Sequence, residues 1–344
     1  MPFGRPGMSE AVSALQGSTR RGWGARLFTA GVAALAIPFA ATVTAPHAAV
    51  AAPVSGPAYR TPAGGYEELM VPSSMGPIKV QVQWARNGGS RAVYLLDGLR
   101  ARDDNNAWAF ETNTKQQFEN DDVTLVMPVG GESSWYADWM SASNTNGQKF
   151  TYKWETFLTE ELPDFLAGYG VSRTDNAVVG LSMSGPAALR LAAFYPHQFR
   201  HASSFSGPLN LTAPGMPEAV RMMMLSAGRF NKDSLAAPSS PQWLRMDPFV
   251  FAPQLRGVPM YISAATGAPG QFDRPNSAMA VFDTANAIWI EALAMVGTRA
   301  LQARLNQLNI PAVYDLPASG THSWKYWEAQ LWNARPHILS ALGA

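Results

Sequence analysis

A serine set between glycines, Gly180-Leu-Ser-Met-Ser-Gly185, is where residue type and spacing first suggest covalent chemistry. Ser182 follows a short apolar run, Asn176 to Leu181, and precedes a stretch opened by Pro186 and rich in Ala and Leu. Strand, sharp turn and helix are the setting of a nucleophile elbow, although G-x-S-x-x-G is one residue longer than the usual G-x-S-x-G. Such a turn exposes the serine hydroxyl at the top of a sheet and frees the next N–H, that of Met183, to hold an oxyanion. A nucleophilic serine also needs a base, ordinarily a histidine. Of the five histidines, His47 lies near the N-terminus, His197 and His201 come too early for the order Ser, acid, His, and His337 falls on a terminal helical stretch. His322, in Gly320-Thr-His-Ser-Trp324, sits between a strand-like run, Ala312 to Leu316, and a helix, where the base of such a fold belongs.

The third member of a triad orients the imidazole. Glu218, Asp233, Asp247, Asp273, Asp283, Glu291 and Asp315 all lie between Ser182 and His322, so spacing alone does not choose. The generic position in such a fold, the loop after the strand ending near Ser263, favours Asp273. A second oxyanion donor is expected from the loop after an early strand. Tyr94-Leu-Leu-Asp-Gly-Leu-Arg100 turns at Gly98 and offers the Leu99 N–H.

These side chains need a sheet to converge on. Ile78, Val80, Val82 and Trp84 alternate with polar residues, the period-two pattern of a strand with one wet face, expected near a sheet edge. Ala92 to Leu96, Val123 to Val129, Asn176 to Leu181 and Val258 to Ser263 are short apolar runs suited to strands buried on both faces. Helical stretches alternate with them at Trp154 to Tyr169, Pro186 to Tyr195, Ala278 to Leu308 and Ser323 to Leu342. That alternation predicts an α/β layered fold with a largely parallel sheet. The segment from Leu211 to Arg256 lacks strands and carries Met216, Met222, Met223 and Met224; ordinary helical packing is its default reading, and a wall for a long apolar ligand the less expected one.

With 47% hydrophobic and 15% charged residues, the 344-residue chain has ample material for a core. A net charge of +1 leaves no basic excess for a polyphosphate backbone, which argues against a nucleic-acid partner. Arg20, Arg21 and Arg26 precede an apolar stretch, Leu27 to Ala45, and the small residues Ala48 to Ala52. That is the order of a secretory signal peptide cleaved after Ala51, and Pro38 and the threonines weaken the alternative of a membrane anchor. The expected organisation is a signal peptide over 1–51, a flexible leader over 52–65 and a single catalytic domain over 66–344. No later segment of about 20 residues lacks both charges and helix breakers, so no transmembrane segment is expected in the mature protein. Cysteine is absent, which removes disulfides and thiolate chemistry, and neither a two-histidine helix motif nor a P-loop calls for a metal or nucleotide cofactor.

Five blocks together, Tyr94–Ala101, Gly131–Trp139, Tyr152–Leu158, Gly180–Gly185 and Gly320–Trp324, resemble the exported antigen 85 family, the trehalose mycolyltransferases of mycolic-acid-containing actinobacteria. The resemblance runs in order from about Glu67 to the C-terminus. It implies an α/β-hydrolase fold, three layers around a mostly parallel sheet, and transfer of a mycolyl group from trehalose monomycolate to a second sugar. The implied partners are trehalose monomycolate, trehalose and arabinogalactan, and the implied location is extracellular or in the cell envelope, with cell-wall association. By the same resemblance the nucleophile falls on Ser182, the base on His322 and the acid on Glu291 in place of Asp273. Asp97 and Arg100 match sugar-contacting positions, and Ser323 and Trp324 flank the base. Asn210 stands where the family has a sugar-contacting aspartate, and the family's cysteine is missing from Met260–Ala265, so inhibition through a thiol is not expected. Two other readings share these residues: a secreted carboxylesterase or lipase with water as acceptor, and a non-catalytic envelope binding protein, since the family includes members without the triad.

Overall fold

The computed structural model describes residues 61–275 and 277–344; the expected signal peptide and most of the leader lie outside the described residues. The apolar runs are strands: β1 (Tyr66–Val71), β2 (Ile78–Gln83), β3 (Ala92–Leu95), β4 (Thr124–Pro128), β5 (Asn176–Leu181), β6 (Phe199–Phe205), β7 (Met260–Ser263) and β8 (Val313–Asp315). They form one sheet in the order β1-β2-β4-β3-β5-β6-β7-β8. β2 pairs antiparallel with both β1 and β4, and every other pairing is parallel. The alternating strand expected near an edge is therefore second from it: β1, whose Tyr66, Glu67 and Glu68 are exposed, takes the edge.

Two cores follow from the period of two along the strands. Val93, Leu95, Leu125, Val179, Leu181 and Phe205 point into one, with Trp108, Phe118 and the terminal helix. Tyr94, Leu96, Val126, Val178, Ala202 and Ile262 point into the other, where most of the remaining helices pack. A sheet buried on both faces between helices is the three-layer arrangement that the apolar runs predict.

Five helical stretches are used below: α1 over 154–167, whose middle turn, Phe157–Glu161, is a π-helix; α2 (Ser184–Phe194); α3 (Met216–Gly228); α4 (Ala278–Gln307); and α5 (Trp324–Leu342). α2 starts two residues before Pro186, because the elbow turn feeds straight into its first turn. In α3 the default packing reading holds for Val220 and Met224, which are buried, but Met223 lines a cleft and Met222 is exposed. α4 begins at Ser277, whose hydroxyl accepts from the Ala280 N–H at 3.1 Å. By length and composition this helix could cross a membrane, since an 18-residue stretch within Met279–Gln307 has a mean hydropathy of 1.4. Its contacts with the globular fold run through Glu291, which bonds to Ser206 and Ala265, and through its C-terminal half, where Leu301 and Leu305 are buried in the larger core.

Because the parallel strands share one direction, the loops after β3, β5, β6, β7 and β8 gather along a single edge of the sheet. In open α/β sheets that edge is where ligands bind.

Candidate active site

The turn after β5 is tight for a steric reason. A Cβ on Gly180 would lie 2.1 Å from the Ser184 carbonyl oxygen, and one on Gly185 would lie 2.7 Å from Ser204 Oγ and 2.9 Å from Gly207 Cα. Only glycine lets β5 fold back on α2 and lets α2 close on β6, which explains the G-x-S-x-x-G spacing. Ser182 between them has φ 49°, the left-handed region that costs a residue with a Cβ roughly 1–3 kcal/mol. The strain is held by the Ser182 N–H donating to Phe205 O at 2.8 Å and by Ser184 Oγ, which accepts from the Leu181 N–H at 2.8 Å.

Ser182 Oγ lies 2.8 Å from His322 Nε2, and His322 Nδ1 lies 2.8 Å from Glu291 Oε2. The three side chains come from β5's turn, the loop after β8 and the middle of α4. The histidine and glutamate side chains are 8% and 2% exposed, so the pair is shielded from competing water. Glu291 Oε1 is occupied as well, accepting from Ser206 Oγ at 2.8 Å and from the Ala265 N–H at 2.7 Å. Trp327 Nε1 donates to Ser206 Oγ at 3.0 Å, and its ring meets the His322 ring edge-on at 4.8 Å between centroids. A hydroxyl, an imidazole and a carboxylate linked in this order can transfer the serine proton to the ring while the carboxylate fixes the tautomer.

Neither the Leu99 nor the Met183 N–H donates a hydrogen bond among the described residues, which leaves both amides free for a ligand oxygen. Leu99 is steadied from behind, its carbonyl accepting from the Ser133 N–H at 2.9 Å. Ser182 and His322 open on a cleft of about 920 Å³. Met223 of α3, Phe282 and Ile290 of α4, Phe110 and Trp324 give it apolar walls, and Arg100, Arg102, Glu111 and Asp283 give it charged ones.

The other residues singled out in the sequence are less uniformly placed. Arg100, Ser323 and Trp324 line the cleft. Asp97 also borders it but is 3% exposed, and its carboxylate accepts from the Gly98 and Ala107 N–H groups at 2.7 and 2.8 Å, so its first task is to hold its own loop. Burial pushes the Asp97 carboxyl up to about 6, more than those two N–H bonds pull it down. Asn210 is not among the residues lining the cleft; its backbone packs by Gly297 of α4, six residues beyond Glu291. Asp273 makes no bond to the His322 ring and binds Thr321 instead, at 2.6 Å, so the carboxylate at the imidazole is Glu291 and not the one in the generic loop position.

Ser133, Ser206, the Ala265 N–H and Trp327 escaped the sequence reading. Ser133 lies in the block Gly131–Trp139, whose sequence gives it no role of its own. Ser206 is the first residue after β6 and Ala265 the second after β7, so strand ends on the cleft side are the available signal.

The putative esterase family matches residues 73–338. Diacylglycerol acyltransferase/mycolyltransferase Ag85C of Mycobacterium leprae is 40% identical over 295 residues, 83% of this chain and 84% of that protein. Diacylglycerol acyltransferase/mycolyltransferase Ag85B of Mycobacterium avium is 40% identical over 331 residues, 94% of this chain and 96% of its own. Among solved structures, Mycobacterium tuberculosis MPT51 (FbpC1) superposes with a TM-score of 0.69 at 32% identity, over 81% of this chain and all of that one. The fluorophosphonate-binding serine hydrolase FphF of Staphylococcus aureus, with a TM-score of 0.58 at 16% identity over 82% of this chain and 99% of its own, shares the fold alone. Identity of this order across nearly the whole chain, on an α/β-hydrolase sheet with a serine, a histidine and a glutamate joined at its ligand-binding edge, means that the chain belongs to the antigen 85 family of diacylglycerol acyltransferases/mycolyltransferases.

Proposed function

We propose that the protein is a mycolyltransferase that moves a long-chain acyl group from trehalose monomycolate to a second sugar, trehalose monomycolate or arabinogalactan, through an acyl-serine intermediate. The observation that carries this reading is the unbroken chain Ser182–His322–Glu291, with 2.8 Å at each link, beside a cleft with both apolar and charged walls. The two relatives named as mycolyltransferases support the choice of acyl group.

In the first half-reaction His322 takes the Ser182 proton as Oγ attacks the donor ester carbonyl. The Leu99 and Met183 N–H groups hold the oxyanion. The tetrahedral adduct collapses, the bond to the sugar oxygen breaks, and the imidazolium gives its proton to the leaving trehalose hydroxyl. In the second half the acceptor hydroxyl gives its proton to His322 and attacks the acyl-serine, and Ser182 Oγ leaves with a proton from the same ring. Water competes at about 55 M, so the acceptor must be held well enough to supply a larger effective molarity. Arg100, with Ser323 and Trp324 near the base, is the group of cleft residues suited to that task, and the apolar wall of Met223, Phe282 and Ile290 suits the acyl chain. Asp97 contributes through the loop that carries Leu99. The order of basic, apolar and small residues before Ala52 supports export, with the reaction taking place in the cell envelope.

The test is acyl partition. Incubated with radiolabelled trehalose monoester and free trehalose, the protein is expected to pass label to free trehalose or to a diester, with Ser182→Ala inactive and little free acid formed. Label recovered as free acid at every sugar concentration would make this a hydrolase, and a Ser182 that reacts with no fluorophosphonate would make it a binding protein.

A further inference from the structure

Two carboxylates, not one, grip the loop that carries His322. Glu291 holds the ring. Asp273, ten residues past the end of β7, holds the chain on both sides of it. Its Oδ1 accepts from Thr321 Oγ1 at 2.6 Å, and its Oδ2 accepts from the Tyr326 hydroxyl at 2.6 Å and from the Gly270 N–H at 2.7 Å. Thr321 immediately precedes His322 and is 1% exposed, and Tyr326 stands in the first turn of α5. The carboxylate thus ties together the two ends of the short segment that contains the base.

The rest of the Asp273 loop is fastened to the same segment. The Gly320 N–H donates to Ala268 O at 2.7 Å, the Gly267 N–H to Gly320 O at 3.1 Å, and Thr266 Oγ1 to Ala318 O at 2.7 Å. The ring of Phe272 packs on that of Tyr326, with centroids 5.0 Å apart. On the opposite side the His322 N–H donates to Ala287 O of α4 at 3.2 Å. Three hydrogen bonds of 2.6–2.7 Å to one side chain thus converge on a loop otherwise held by ordinary backbone contacts.

We propose that Asp273 is a positioning residue for acyl transfer: by accepting from Thr321 and Tyr326 on either side of His322, its carboxylate keeps the imidazole in line between Ser182 and Glu291. This rests on the reading of Ser182 and His322 given above. It accounts for a carboxylate in the fold's generic acid position that does not touch the base. The carboxylate acts on the base through the backbone, and Glu291 touches the ring.

The test compares Asp273→Ala, Asp273→Asn and Thr321→Val in the full chain, with kcat and KM for a soluble p-nitrophenyl ester, the rate of fluorophosphonate labelling, and Ser182→Ala as control. Misplacing a catalytic group by about 1 Å can cost on the order of 100-fold, so Asp273→Ala and Thr321→Val are expected to lower kcat and the labelling rate about 10- to 100-fold, with KM within about twofold. Asn at 273 still accepts through its oxygen, and its amide can donate to a Thr321 hydroxyl that turns to receive it. Asp273→Asn should therefore return kcat to within about fivefold of the unaltered protein. Lowered thermal stability with kcat kept in Asp273→Ala and Thr321→Val overturns the proposal, and so does an Asp273→Asn as slow as Asp273→Ala, which would assign the effect to charge. If Asp273→Ala does not fold, Thr321→Val, which removes one hydroxyl and keeps the side-chain shape, decides alone. Activity surviving in Ser182→Ala would instead overturn the reading of the site itself.

Discussion

At the scale of single residues, the acid of the site gives the sharpest expectation. Glu291 Oε1 is committed to two donors, Ser206 Oγ and the Ala265 N–H, while Oε2 faces His322 Nδ1. In Glu291→Gln the amide oxygen must remain with the backbone N–H of Ala265, which has no other way to be satisfied, so the amide nitrogen turns toward His322. Nδ1 then becomes an acceptor, the ring proton moves to Nε2, and the ring can no longer take the proton of Ser182. A triad locked in the wrong tautomer loses about 10⁴ in kcat. Glu291→Gln is therefore expected to lose on that order and to be at least as slow as Glu291→Ala, in which the ring is free to choose its tautomer. Steady-state kinetics on both variants checks it, and a glutamine variant within about tenfold of the unaltered protein would sink the assignment. Serine and histidine were legible in the sequence because each sits beside a strand in a glycine-marked turn. The glutamate was not, since it lies inside a helix of thirty residues where a buried acid and an exposed one look alike, and only the family resemblance singled it out.

At the scale of elements, the elbow depends on two close approaches that no side chain can share. Gly180→Ala would set a methyl 2.1 Å from the Ser184 carbonyl oxygen, a backbone atom that cannot swing aside, whereas Gly185→Ala meets the movable Ser204 hydroxyl first and then Gly207 Cα. Overpacking typically costs about 1–3 kcal/mol, so both variants should melt lower, with Gly180→Ala the more damaged. Gly180→Ala should also lose its labelling by fluorophosphonate, because Ser182 cannot keep φ 49° if the turn opens. Calorimetry and labelling side by side check this, and a Gly180→Ala that melts and labels like the unaltered protein would show that the turn tolerates a Cβ. The same strand-turn-helix unit was the most legible part of the fold, since an apolar run, glycines and a proline all mark it. β6 was missed: Arg200, His201, Ser203 and Ser204 make it read as polar, yet all but Arg200 are buried beside β5 and β7. β1 was missed for the opposite reason, as an edge strand with most of its residues wet shows no apolar period.

At the scale of the whole molecule, stability against pH is set in part by two buried groups that act in opposite directions. His201 of β6 is 1% exposed, and burial, with the charge of His337 adding to it, pulls its pKa down to about 3. The unfolded chain takes up this proton near pH 6.5 and the native one does not, so the contribution of His201 is complete above 6.5 and is lost as pH falls toward 3. Asp97 has the reverse sign. Its carboxyl is raised from 3.8 to about 6 by burial, so the native state holds a proton that the unfolded chain has released; its contribution is complete below 3.8 and is lost as pH rises through 6, by on the order of 3 kcal/mol. Between about pH 4 and 6 each term changes by about 1.4 kcal/mol per unit, in opposite senses, and the two nearly cancel. Removing either group exposes the other. Relative to the unaltered protein, Asp97→Asn should lose thermal stability as pH is lowered from 6.5 to 4.5, and His201→Gln should gain it over the same interval. Melting temperatures of the three proteins at a few pH values check both slopes at once, with carboxylates common to all of them dropping out of the differences. Two flat differences, or two that move the same way, would mean that neither buried group carries the proton assigned to it.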